Sequence, residues 1–306
     1  MKFDILPPIG ANVLGDPDWL VAFAQAAERL GYDGISTSEH TVWVDDFDLQ
    51  YFPYGERIAT GVAVNFTDPI ELLCFLAGVT TRLELGTQVV KITQQHPVML
   101  AKRLATLDVY AKGRLRMGVG IGWNREEMEV CGETYTNRGV RANETIEILR
   151  RLWAGDPESP VDHHGDHYDF TGVYCNPKPV NGDIKLFVGG HTPAAAVRAG
   201  RLGDGFQPLM VEGDRLDELV GIMRTEAEKA GRASDELEVI VRRAMTQVTP
   251  ESLEEDAARG VTRVIVSGAV QNDLQFALDE LQAFSERMAL PQLGDRPPTP
   301  RVQAES

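Results

Sequence analysis

Leu115-Arg116-Met117-Gly118-Val119-Gly120-Ile121-Gly122-Trp123-Asn124-Arg125-Glu126-Glu127-Met128 reads as a short apolar strand that ends in glycines on alternate positions. An indole, an amide and an acidic helix start follow it. Glycines spaced this way let a strand end approach another backbone, or a flat ligand, with no Cβ in between. Trp123 and Asn124 then project from the strand rim, where a ligand could be stacked and hydrogen-bonded. The G-x-G-x-G spacing lacks the third glycine position of the dinucleotide fingerprint, and no acid follows it as in an early βαβ unit. The place of the segment in a repeating chain decides how it is read.

Working outward, apolar periodicity alternates between strand and helix. A first strand at residues 1–6 is followed by Asp16-Pro17, an N-cap with proline at the first helical position. Trp19, Leu20, Phe23, Ala27 and Leu30 mark one face of that helix, and Gly31 closes it. Further strands are expected at 34–38, 83–90, 114–119, 184–188, 205–207, 237–241 and 264–266. Helices are expected from Asp68-Pro69 and over 97–110, 138–153, 193–202, 214–230, 250–259 and 272–288. Eight strands, each followed by a helix, predict an α/β chain closed as a (β/α)8 TIM barrel over residues 1–290. A doubly wound open sheet is the other topology this order allows. The proline-rich, polar stretch 291–306 reads as a disordered tail.

Two connections are long. Residues 41–67 follow strand two and carry Trp43, Phe47, Tyr51, Phe52 and Tyr54. A barrel places that βα loop on its C-terminal face, so these aromatics read as a substrate pocket or cover. Residues 155–183 precede strand five and read as an excursion along the barrel exterior. His163, His164 and His167 lie there, but without the i, i+4 helical pair of a zinc protease, and no metal is expected.

The net charge of −16 disfavours nucleic acid and anionic membranes as partners. No signal peptide or bilayer-length apolar run is visible, and Cys74, Cys131 and Cys175 share no short spacing. A cytoplasmic protein acting on a small-molecule substrate is the expectation. His40, just past strand two, stands where a barrel presents reactive groups, either as a proton donor or acceptor or as a histidine that only fixes its loop. Gly189-Gly190-His191-Thr192-Pro193 leaves strand five into a helix, and its free amides could hold a phosphate. An ordinary turn with Thr192 as N-cap explains the same residues. Glu126 and Glu127 are accounted for by the dipole of the helix they open.

With the barrel and the Gly-x-Gly-Trp-Asn segment in place, the chain resembles the luciferase-like monooxygenase superfamily, and within it the F420-dependent (deazaflavin) oxidoreductases. Ser38-Glu39-His40, the helix start at His96-Pro97, Gly-Gly-His-Thr at 189–192 and Arg201-Leu202-Gly203-Asp204-Gly205-Phe206 carry the resemblance. It implies a bulge with a non-prolyl cis peptide on strand three at Gly86, Thr87 and Gln88, supporting the coenzyme ring. It implies cofactor contacts from His40, Gly120, Gly122, Trp123 and Asn124, and from Gly189, Gly190, His191 and Thr192 toward the phosphate-bearing tail. His40 would be the catalytic residue, and the coenzyme F420. An FMN-dependent monooxygenase with a separate flavin reductase, and a non-catalytic flavin-binding protein, are the alternatives on the same scaffold. A metal-dependent barrel hydrolase is a further one from another class. Relatives are commonly homodimers. Trp123 stands where the family's sugar-phosphate dehydrogenases carry an acidic residue, so that reaction is not implied.

Overall fold

The structure, a computed structural model, describes residues 1–44 and 64–292. Its strands are β1 (Lys2–Leu6), β2 (Gly34–Thr37), β3 (Glu84–Thr87), β4 (Val90–Lys91), β5 (Leu115–Gly120), β6 (Val161–His164), β7 (Asp169–Val173), β8 (Lys185–Gly190), β9 (Gly205–Pro208), β10 (Glu238–Ala244) and β11 (Val261–Ser267). The α-helices, among the described residues, are α1 (Pro17–Arg29), α2 (Pro69–Val79), α3 (Pro97–Tyr110), α4 (Arg125–Val130), α5 (Arg138–Trp153), α6 (Pro193–Leu202), α7 (Gly213–Lys229), α8 (Pro250–Ala258) and α9 (Leu274–Arg287).

The strands of the main sheet run in the order β3-β2-β1-β11-β10-β9-β8-β5-β4, and β3 also pairs with β5, which closes the barrel. That closure excludes the open sheet. β3 and β4 are two pieces of a single barrel strand, so the barrel has the expected eight. Gly86 pairs with Arg116 and Val90 with Val119, so the third strand spends one residue more than its neighbour between these pairs. This is a bulge. Within it the Gln88–Val89 peptide is cis.

The start signals act as the sequence suggests. Asp16 accepts the amide of Trp19 at 3.0 Å to cap α1, with Pro17 at the first position. Outward-facing residues such as Phe3, Val239, Val241 and Val264 join the core under the helices. The inward faces differ. Leu6, Phe187, Ile240 and Ile265 form an apolar layer inside the barrel. Below it, toward the strand N-termini, Arg263 pairs with Asp4 and Glu84, while Arg116 reaches Glu84 at 3.3 Å and Glu238 at 2.8 Å. The barrel is therefore plugged at its base, and chemistry is left to the C-terminal rim.

The excursion before strand five is more ordered than a bare loop. β6 and β7 form an antiparallel hairpin, with His163 opposite Phe170. Glu144 of α5 accepts His163 Nε2 at 3.0 Å and the amide of Tyr168 at 2.9 Å, and Arg151 donates to His163 Nδ1 at 3.2 Å. Because a guanidinium only donates, this fixes the Nε2–H tautomer. His163 ties the hairpin to the helix. Among the described residues no cluster of His, Cys, Asp and Glu is arranged to hold a metal, and no helix is long and apolar enough to cross a membrane.

Candidate active site

The bulge explains the glycines. A Cβ on Gly118 would lie 2.0 Å from the carbonyl oxygen of Thr87, and one on Gly120 would lie 2.4 Å from Val89 Cγ2. On β8 a Cβ at Gly189 would meet Val89 Cγ1 at 2.6 Å. The alternate glycines thus make room for the third strand, whose Val89 crosses the mouth and sits over both β5 and β8. Of the two readings of the motif, close approach to another backbone and its side chain is what Gly118 and Gly120 serve. Gly122 has a φ of +76°, which the turn into α4 requires.

Asn124 caps α4, its Oδ1 accepting the amide of Glu127 at 2.8 Å. That places Glu127 in the first turn but facing inward, with its side chain 1% exposed. One oxygen accepts Lys91 Nζ and the amide of Thr41 (2.6 Å), and the other faces His40 Nδ1 at 3.1 Å. The helix dipole is therefore an insufficient account of Glu127. It joins β4, the end of β2 and α4 at the rim. His40 and Lys91 hold its carboxyl down at about 2, against the opposing effect of burial. Burial lowers the pKa of His40 below its usual 6.5, although the Glu127 carboxylate pulls it upward. At neutral pH His40 is then a neutral imidazole with its proton on Nδ1, toward Glu127. Nε2 makes no hydrogen bond among the described residues. Glu39, the preceding residue, accepts the amide of Lys91 at 2.5 Å, and burial pushes its carboxyl up to about 7.

Aromatic rings enclose the imidazole. Trp43 stacks on it with centroids 4.1 Å apart, and Phe66 and Trp123 meet it edge-on at 5.1 and 5.7 Å. Two buried amide donors nearby in the fold, Gln88 Nε2 in the bulge and Asn124 Nδ2 at the cap, have no acceptor among the described residues. Gly86 lies in β3 and Thr87 donates its hydroxyl to Gly118 O at 2.6 Å, which locks the strand below the bulge. Gly189 and Gly190 end β8, and Thr192 caps α6 by accepting the amide of Ala195 at 3.3 Å. His191 stands exposed beside it. Phe47, Tyr51, Phe52 and Tyr54 lie outside the described residues, as does the tail beyond residue 292.

The sequence alone marks neither Lys91 nor the inward role of Glu127, and it shows Glu39 only as part of Ser38-Glu39-His40. The spacing Asn124-x-x-Glu127 is that of a capping box and was the available signal, but here the acid turns to His40 and Lys91. A groove of about 900 Å³ lies elsewhere, outside the barrel between α5, the hairpin and α6. Its charged groups serve each other. Arg150 pairs with Asp183 and Asp204, and His163 lies between Glu144 and Arg151. The barrel mouth, with its neutral histidine and two buried amides that lack acceptors among the described residues, is the better candidate for chemistry.

The family model described as luciferase-like monooxygenase matches residues 1–303. The chain belongs to the luciferase-like monooxygenase family. An uncharacterized protein of Mycobacterium tuberculosis is 31% identical over 288 residues, covering 91% of this chain and 97% of that one. A Mycolicibacterium gilvum protein named F420-dependent glucose-6-phosphate dehydrogenase is 30% identical over 233 residues, 74% of this chain. The match covers 63% of that relative's length. Among solved structures, a riboflavin lyase with modified FMN and riboflavin superposes with a TM-score of 0.79 at 15% identity, covering 98% of this chain and 94% of that one. That last likeness is one of fold.

Proposed function

We propose that this luciferase-like protein is an oxidoreductase that holds coenzyme F420 at the barrel mouth and exchanges a hydride with a small organic substrate. The observation that carries the proposal is His40, a half-buried neutral imidazole oriented by Glu127 and walled by Trp43, Phe66 and Trp123 beside the Val89 bulge. The 30% identity to an F420-dependent dehydrogenase supports the choice of coenzyme. The residues fit a flat ring with polar edges. Val89 offers an apolar back, the aromatic wall offers packing, and Gln88 Nε2 and Asn124 Nδ2 are buried donors without protein acceptors among the described residues.

F420, when bound, accepts or supplies the hydride. The chain's own residues handle the proton. In the oxidative direction an alcohol becomes a carbonyl compound, and its hydroxyl proton passes to His40 Nε2. The imidazolium so formed is stabilised by the Glu127 carboxylate at Nδ1, while Lys91 keeps that carboxylate ionised. In the reductive direction His40 returns the proton. The rings around His40 keep water from the reacting atoms.

The test follows the coenzyme's visible absorbance against a panel of small alcohols and carbonyl compounds, with oxygen uptake recorded in parallel. Turnover without oxygen consumption is expected, and His40→Ala should lower it about a hundredfold or more while coenzyme binding stays close to wild type. Unchanged turnover in that variant would remove His40 from the mechanism. Oxygen consumption with reduced FMN, and none of the F420 chemistry, would make the protein a monooxygenase instead.

A further inference from the structure

The inward face of β10 carries Glu238, Ile240 and Arg242 on successive alternate positions. Glu238 pairs with Arg116 at the barrel base, and Ile240 belongs to the apolar layer. Arg242 pairs in register with Ile265, another member of that layer, so its side chain shares the inward face. It lies one step closer to the C-terminal rim than Ile240, which puts it at the mouth. Its neighbour Arg243 faces the other way and is held by Asp256 of α8 at 2.9 Å and Glu212 at 3.5 Å.

Among the described residues Arg242 has no such partner. Lys2, Asp4, Glu84, Arg116, Glu238 and Arg263 are all tied in ion pairs at the barrel base. Among the described residues no carboxylate reaches the Arg242 guanidinium. Its side chain is open to solvent, yet surrounding protein lowers its pKa through desolvation alone. In a chain with 46 acidic against 30 basic residues, an arginine on the inward face at the rim with no carboxylate partner among the described residues stands out. The overall charge of −16 repels anions, so one is held at the mouth only where a local cation outweighs that field.

We propose that Arg242 is a substrate-recognition residue that receives an oxyanion, a carboxylate or phosphate ester, carried by the substrate away from its reacting carbon. The guanidinium fork matches either group with two parallel hydrogen bonds. β10 stands three strands from β2, which delivers His40, so a substrate held at Arg242 is anchored away from the proton acceptor. Such an anchor away from the reacting atoms sets orientation. That the anion belongs to the substrate rests on the oxidoreductase reading above; the anion site itself does not.

The test uses inorganic phosphate and acetate as probes, titrated calorimetrically into the full-length protein at fixed ionic strength. Arg242→Ala should weaken at least one of them about tenfold or more, and Arg242→Lys less so. Arg243→Ala removes the same charge outside the barrel and should change nothing at the mouth. The probe that responds tells a phosphate ester from a carboxylate. Coenzyme titrations of the same variants separate the two readings. Affinity for F420 should be the same in Arg242→Ala and with phosphate present. Equal anion binding in wild type and Arg242→Ala, equal losses in the two alanine variants, or no binding of either probe overturns the proposal. So does weakened F420 binding in Arg242→Ala, or competition between phosphate and F420, since the arginine would then serve the coenzyme's tail. Arg242-dependent anion binding in a protein that takes no F420 sinks the coenzyme reading and leaves the anion site standing.

Discussion

At the scale of single residues, the rim is organised by two acids that burial treats in opposite ways. Glu127 has Lys91, His40 and the Thr41 amide for its charge and ionises readily, while at Glu39 burial outweighs the charge and the backbone amide of Lys91 and the acid resists ionisation. Glu127→Gln leaves Lys91 buried without its counter-charge and should destabilise the protein by about 3–5 kcal/mol, measured by urea unfolding. It also removes the upward pull on His40, so the acid limb of the oxidation rate should move to lower pH. An unmoved limb would reduce Glu127 to a structural role. The stabilities of the two acids vary oppositely with pH. The depressed pKa of Glu127 contributes stability above pH 4.5 that is lost as pH falls toward about 2. The raised pKa of Glu39 works the other way. Its penalty is absent below pH 4.5 and grows as pH rises toward about 7, because the unfolded chain ionises first. Glu39→Gln should therefore flatten the decline of unfolding free energy between pH 5 and 7, by roughly 1.4 kcal/mol per pH unit in that window. An identical slope in wild type and variant would contradict this. His40 was legible in the sequence because a barrel presents reactive groups at strand ends. Lys91 was not, since nothing local marks a lysine whose partner lies 36 residues away.

At the scale of elements, the third strand and the glycines of β5 and β8 form one device. The glycines were visible in the sequence and their spacing signalled close approach, but what approaches them depends on a bulge in another strand. Gly120→Ala drives a methyl group into Val89 and should destabilise by about 1–3 kcal/mol and weaken coenzyme binding. Val89→Ala in the same chain should recover much of the stability, and a double-mutant cycle on thermal melts would read the coupling. Strict additivity would mean that the two side chains do not compete for that space. The hairpin β6–β7 escaped the sequence reading because its strands are short and its alternation weak. It is set by Glu144, which collects His163 and two turn amides from a helix earlier in the chain. The helices, by contrast, announce themselves locally through Asp-Pro and Thr-Pro starts.

At the scale of the whole molecule, the repeating order of strand and helix made the (β/α)8 topology readable before any contact was known, because parallel neighbours require crossovers and eight of them close. The charged base and apolar layer close the barrel from below, so a ligand has access from the C-terminal rim. There Val89, the aromatic wall and His40 come from different elements, and only closure brings them together. The scaffold alone does not select a coenzyme, and the residues at its mouth must do so. The measurement that tests this most directly is an equilibrium titration of the purified full-length protein with F420 and, separately, with FMN at one ionic strength. The account predicts saturable binding with a clear preference for F420, weakened in Gly120→Ala. Preferential binding of FMN, or binding of neither, would contradict it.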